Sequence, residues 1–123
     1  MGTLEKGKFG EAEAAKFMRN NGYQIVSMGF HSRFGEIDVI AENEEYVVFV
    51  EVKTRKNSNF AAAREYVDFR KQRRILSTAK MWLARSRTQK QPRFDVIEIY
   101  ADNIDDIRSG KGHMTINHIK NAF

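Results

Sequence analysis

The run from Tyr46 to Thr54 reads YVVFVEVKT, with apolar side chains at odd and even positions alike. Successive residues of a strand point to opposite faces of a sheet, so this segment needs cover on both sides. That pattern belongs to a central strand packed on two faces. The run nevertheless carries Glu51 and Lys53, and the preceding segment GEIDVIAE, from Gly35, carries Glu36 and Asp38. An uncompensated charge in such a position costs several kcal/mol, whereas a whole domain is stable by only about 5–15 kcal/mol. Groups that costly tend to serve a function.

The rest of the chain supplies the cover. Thr3 to Asn20 reads as a helix with Leu4, Glu11, Ala14, Ala15 and Met18 on one stripe, closed by Asn21-Gly22. YQIVSMGF reads as a first strand, EIDVIAE as a second and YVVFVEVKT as a third, followed by a loop from Asn57 to Ala63. A second helix is expected from Tyr66 to about Arg87, its stripe running Gln72, Ile75, Leu76, Ala79, Leu83. RFDVIEIYA, after the only proline, reads as a fourth strand, and MTINHI as a short fifth. The order αβββαβ places the chain in the α/β class, and 123 residues suffice for one domain spanning positions 1–123.

Charge is segregated along the chain. Gly35 to Glu51 contains six acidic residues and no basic one, whereas Arg64 to Arg93 contains ten Lys or Arg against Glu65 and Asp68. An acidic focus beside a basic segment suits a metal site facing a polyanion, although a basic helix face can equally be mere solvated surface. With no cysteine, disulfides, thiolate zinc sites and cysteine nucleophiles are excluded. There is no 18-residue apolar run and no basic-then-apolar leader at Met1, so a cytoplasmic location without membrane contact is expected.

Strand alternation makes the acidic focus testable. If Glu44 and Glu45 form the loop of a hairpin, Asn43 faces Tyr46, Asp38 comes opposite Glu51 and Glu36 opposite Lys53. Carboxylates placed that way repel one another. A divalent cation reverses the sign. Asp38 and Glu51, joined by the Val52 carbonyl, offer hard oxygen ligands suited to Mg²⁺ or Mn²⁺. Lys53, one pleat from Glu51, could orient or help activate a water and stabilise charge developing on a phosphate. Its plainer alternative is an ion pair with Glu36.

GEID followed after twelve residues by EVK is similar to the signature of the PD-(D/E)XK nuclease superfamily, with Asp38, Glu51 and Lys53 at its three positions. More closely, FGEAEAAKFMRNNGYQIV, GEIDVIA, VVFVEVKTR, RKQRRI and RFDVIEI resemble the YraN-like family of small bacterial proteins with an endonuclease-like fold, distantly related to archaeal Holliday-junction resolvases. The resemblance runs from Gly7 to the terminal NAF, and it implies a restriction-endonuclease-like αβββαβ core with a mixed central sheet. The proline of the superfamily name is replaced by Ile37.

Two further site candidates come from the helices. Glu11 lies on the apolar stripe of the first helix, where a carboxylate wants a partner; many superfamily members supply a glutamate from this helix to the metal site, and a buried ion pair is the alternative. Gln72 lies on the stripe of the second helix and could hold a phosphate or a metal's water, or simply face solvent. Lys71 is similar to the lysine of the family's KQ pair, and with Arg70, Arg73 and Arg74 it is expected to meet nucleic-acid backbone. No recognition helix, zinc finger or aromatic stacking ladder is evident, so base-specific readout is not expected. His31, His113 and His118 lack the spacing of a metal or catalytic set and are read as structural, and Phe9, Phe17, Trp82 and Phe94 as core. The expected function is therefore a metal-dependent endonuclease on branched or structured DNA, the alternative being a non-catalytic nucleic-acid-binding module on a nuclease scaffold. A homodimer is left open.

Overall fold

The computed structural model describes residues 3–55 and 68–123, with side chains from Gly7 onward. The elements are α1 (Thr3–Asn20), β1 (Gln24–Ser32), β2 (Gly35–Glu42), β3 (Tyr46–Arg55), α2 (Phe69–Ser86), β4 (Gln91–Ala101), α3 (Ile104–Arg108) and β5 (Met114–Ile119). The strands form one sheet in the order β1-β2-β3-β4-β5. Its pairs β1–β2, β2–β3 and β4–β5 are antiparallel, whereas β3 and β4 run parallel with α2 in their connection. The result is the mixed sheet flanked by helices that the resemblance implied.

β3 is the middle strand, and its alternation divides the core into two layers. Val48 and Val50 pack with Val39, Ala41, Ile97 and Ile99 against Phe9, Ala14 and Met18 of α1. Val47 and Phe49 pack with Ile37, Ile40 and Val96 against Ile75 and Ala79 of α2. Burying each such aliphatic side chain contributes about 1.5–3 kcal/mol, so one segment with apolar residues on both faces holds both layers together. Phe9 is buried, while Phe17, Trp82 and Phe94 lie half-buried against these clusters, in keeping with their reading as core.

The helix ends follow from local chemistry. At the end of α1 the Tyr23 N–H donates to the Met18 carbonyl and the Gly22 N–H to the Arg19 carbonyl, each near 3.0 Å. Gly22 takes φ +91°, the left-handed conformation this closure requires. α2 begins at Phe69 rather than Tyr66, because Asp68 is its N-cap, with extended backbone and a carboxylate that accepts the Lys71 N–H at 2.9 Å. Tyr66 and Val67, like the expected loop from Asn57 to Ala63, lie outside the described residues. The buried stripe of α2 also differs from expectation. Thr78 is buried and Leu76 is exposed. The Thr78 hydroxyl donates to the Arg74 carbonyl at 2.9 Å and lies 2.8 Å from the Ser32 hydroxyl, which satisfies it inside. The short helix α3, capped by Asn103, was not anticipated; its Ile104 and Ile107 pack on the α1 side.

A charged network beneath α1 was also not anticipated. Arg93 is 5% exposed and Asp95 0%. The guanidinium donates to the Asp95 carboxylate at 2.8 and 2.9 Å and to the Tyr23 hydroxyl at 2.7 Å. His118 Nε2 lies 2.7 Å from Asp95 Oδ2, and the Asn121 N–H donates to Oδ1 at 3.2 Å, so this one carboxylate ties β5 and the C-terminal residues to β4. His118 therefore has the structural part assigned to it. Burial alone would raise the Asp95 pKa, but the hydrogen bonds from His118, Arg93 and Asn121 hold it below the usual carboxylate value.

Candidate functional site: carboxylates where two strands part

The β2–β3 hairpin has the register that the alternation argument required. The Asn43 N–H donates to the Tyr46 carbonyl, and the Asn43 side chain accepts the N–H groups of Glu45 and Tyr46, closing a turn with Glu44 and Glu45 at its tip. The ladder then runs Glu42↔Val47, Ala41↔Val48, Ile40↔Phe49, Val39↔Val50. The same register, continued by one step, would set Asp38 level with Glu51. There the backbone pairing ends, and the Asp38 carboxylate takes over by accepting the Val52 N–H at 2.8 Å. The side chain is thus fixed at the point where the strands separate.

Alternation along β2 also breaks at this point. Ile37 and Ile40 both belong to the α2-side cluster, while Val39 and Ala41 belong to the α1 side. A regular strand cannot put residues three apart on one face, so the irregularity falls around Asp38. Side chains from two elements meet here. One carboxylate oxygen from each of Glu11 on α1 and Glu36 and Asp38 on β2 lies within 4.8 Å of the others. Glu51, an expected ligand, falls outside this group of three; it is 5% exposed, with the Lys71 ammonium of α2 at 2.5 Å from Oε1.

This crowding leaves a signature in the proton affinities of Asp38 and Glu11. Burial, then the neighbouring Glu51, then Glu11, push the Asp38 carboxyl up to about 7, against the lowering effects of the Val52 N–H and Lys71. Burial, Glu36 and Glu51 likewise raise Glu11, with His31 acting the other way. His31 Nδ1 lies 3.7 Å from Glu36 Oε2. A bound cation would relieve this repulsion, and the donor set is of the hard oxygen type that Mg²⁺ or Mn²⁺ takes. The three oxygens lie within 4.8 Å of one another, near enough that rotation of their side chains would let one cation be held among them.

Some expected site residues fall elsewhere than expected. Glu11 does reach the acidic cluster. Glu36 belongs to it as well, although the sequence reading kept it only as a partner for Lys53; its spacing from Asp38 was the available signal. Lys71 is drawn away from the basic face towards Glu51, whereas Arg70, Arg73 and Arg74 are exposed along α2. Lys53 is half-buried two residues beyond Glu51, and Gln72 is half-buried beside Lys71. Val52 supplies its N–H to Asp38.

Residues 10–99, a span that includes Glu11, Glu36, Asp38, Glu51, Lys53, Lys71 and Gln72, match the model of the Uncharacterised protein family UPF0102. A UPF0102 protein of Caldanaerobacter subterraneus subsp. tengcongensis is 44% identical over 118 residues, covering 95% of this chain and 93% of the relative. Another, from Caldicellulosiruptor bescii, is 42% identical with both chains covered in full. A third, from Persephonella marina, is 41% identical over 96% of this chain and 92% of its own.

Proposed function

The chain belongs to the UPF0102 family, and from the carboxylates gathered within the matched segment we propose that it is a metal-dependent endonuclease hydrolysing phosphodiester bonds in branched or structured DNA. The observation that carries this reading is geometric: carboxylate oxygens of Glu11, Glu36 and Asp38 lie within 4.8 Å of one another, and the half-buried Asp38 carboxyl is raised by burial and by Glu51 and Glu11. A fold that keeps such repulsion between its central strands gains from it only when a cation is present. Asp38 and Glu51, with the Val52 carbonyl and the neighbouring Glu11 and Glu36, would hold Mg²⁺ or Mn²⁺. When bound, the ion supplies Lewis acidity towards the phosphate and a more acidic water. Lys53, on β3 two residues beyond Glu51, would orient or help activate that water and stabilise charge developing on the phosphate. Gln72 would hold a non-bridging oxygen, while Arg70, Arg73 and Arg74 meet the backbone.

The ion pair between Lys71 and Glu51 favours a second reading, because an ammonium already supplies part of the charge that a metal would bring. On that reading the protein is a non-catalytic nucleic-acid-binding module on a nuclease scaffold. One experiment separates the two: Mg²⁺ and Mn²⁺ are titrated into the protein while its melting temperature is followed, and cleavage is assayed on duplex, single-stranded, flap and four-way-junction DNA. A metal-dependent rise in Tm with cleavage of a branched substrate is expected. Melting that ignores both ions, with every substrate intact, leaves the binding module.

Binding by the α2 face has its own test. Each phosphate contact contributes about 0.9 to the slope of log K against log salt, so replacing Arg70, Arg73 and Arg74 together by Gln should flatten that slope by up to about 3. Lys71, engaged with Glu51, should contribute less than any of the three when replaced singly. An unchanged slope in the triple variant would remove this face from the interface.

A further inference from the structure

The turn between β1 and β2 consists of Arg33 and Phe34, with Ser32 and Gly35 paired below it. Tight hairpin turns usually recruit Gly, Asn or Asp for backbone reasons. Neither Arg33 nor Phe34 has a positive φ, so the turn itself does not call for these residues. Phe34 is nevertheless 42% exposed at the tip, which forgoes the stabilisation its burial would bring.

The exposed ring stands on a firm base. The Phe34 N–H donates to the Ser32 hydroxyl at 3.0 Å, and that hydroxyl lies 2.8 Å from Thr78 of α2. Gly35 sits so near α2 that a Cβ there would come within 3.3 Å of the Arg74 Cβ. The hairpin tip is therefore pinned beside the arginines of the basic face. The Arg33 guanidinium stands over the Phe34 ring, 4.9 Å from its centroid. On the outer side of α2 the pattern repeats, with Phe69 exposed and Arg73 5.7 Å from its ring.

We propose that Arg33 and Phe34 form a stacking wedge for an unpaired DNA base, an inference that rests on the nucleic-acid-binding part of the reading above. An aromatic face stacks any unpaired base, and the adjacent guanidinium adds cation–π and phosphate attraction. Charge complementarity from Arg33, Arg70 and Arg74 selects a polyanion rather than an apolar partner. Phe34 precedes Glu36 by two residues, a span of about 7 Å along a strand. That distance corresponds to roughly two base steps of a nucleic-acid strand. A base held on Phe34 would thus place a phosphate close to the carboxylates, and DNA whose bases are already unpaired would be the preferred substrate.

The test is an equilibrium one, made in EDTA so that neither metal nor cleavage enters. Affinities of the wild type are measured by fluorescence anisotropy for a blunt duplex and for a fork of equal length and charge with splayed arms. The wild type should favour the fork by about tenfold, in line with the stacking of one base. Phe34→Ser and Phe34→Leu should bring that ratio to within about twofold, and Phe34→Trp should keep it. All three should retain the salt slope, because they remove no charge. Phe34→Leu keeps apolar bulk at the tip, so a loss shared with Phe34→Ser marks stacking rather than altered folding. Equal affinity of the wild type for fork and duplex, no DNA binding, or a fork preference that survives in Phe34→Ser would overturn the wedge. Fork preference without any cleavage in the metal assay would sink the nuclease and leave the wedge standing.

Discussion

Asp38→Asn is expected to stabilise the metal-free protein and at the same time to abolish its response to Mg²⁺ and Mn²⁺. The folded-state carboxyl of Asp38 sits near 7, above the value of about 3.9 for an unfolded aspartate. The sign follows from linkage: a raised carboxyl binds its proton more tightly in the folded protein, so folding loses stability as pH climbs from about 4 to about 7. Above that window the ionised Asp38 is a standing penalty. Asparagine carries no charge to repel Glu51 and Glu11, and its carbonyl can still accept the Val52 N–H. At pH 8 the variant should therefore melt higher, by roughly 1–3 kcal/mol of stability. Its stability should also lose the decline between pH 4 and 7 that this group contributes.

The same substitution should be fatal to metal-dependent chemistry. A cation at such a site is worth several kcal/mol of transition-state stabilisation, so cleavage should fall by about 10²–10⁴-fold. Glu51→Gln and Lys53→Ala should lose cleavage too while retaining DNA affinity, since phosphate binding is assigned to α2. A variant that is more stable without metal, unresponsive to metal and inactive would identify the repulsion at Asp38 as a functional cost. If Asp38→Asn instead melts well below the wild type and still shifts with Mg²⁺, the carboxylate is serving the fold and the metal-site reading fails.

Asp95→Asn should have the opposite effect on stability, and a larger one. Here the carboxylate is buried but answered by Arg93, His118 and the Asn121 N–H. Removing its charge leaves the Arg93 guanidinium in the interior without an anion, a loss of about 3–5 kcal/mol. In a domain of this size that lowers Tm by roughly 10–20 °C. The pH sign is also reversed: because Asp95 is held below the usual carboxylate value, its contribution is complete above the unfolded pKa of about 3.9 and fades as pH falls below it. Acid melting of the wild type should thus include a component that Asp95→Asn lacks, seen as an early release of β5 and the C-terminal residues in hydrogen exchange. Protection of β5 that is unchanged in the variant would show that the network is not what holds the strand.

The two aspartates mark the boundary of what local pattern can express. α1, all five strands and the Asn43–Tyr46 register follow from period and turn chemistry, since alternation and capping are properties of neighbouring residues. The sequence by itself therefore determined that β3 is central, that β2 and β3 pair in the hairpin register up to Val39↔Val50, and that Glu11 lies on the inward stripe of its helix. The apolar pattern drew the second helix three residues too early, because the capping role of Asp68 was not read from the sequence. Only the tertiary structure decided the company each charge keeps. Lys71 turns to Glu51 because the packing of α2 on the sheet brings the two together, and Glu11 joins Glu36 and Asp38 because α1 packs over the sheet. Arg93 and Asp95 find Tyr23 and His118 across 70 and 23 residues of chain, and Phe34 is left at the surface by a turn docked on Thr78 and Arg74. Such meetings depend on how helices pack over a twisted sheet, a long-range property to which residue spacing along the chain is blind.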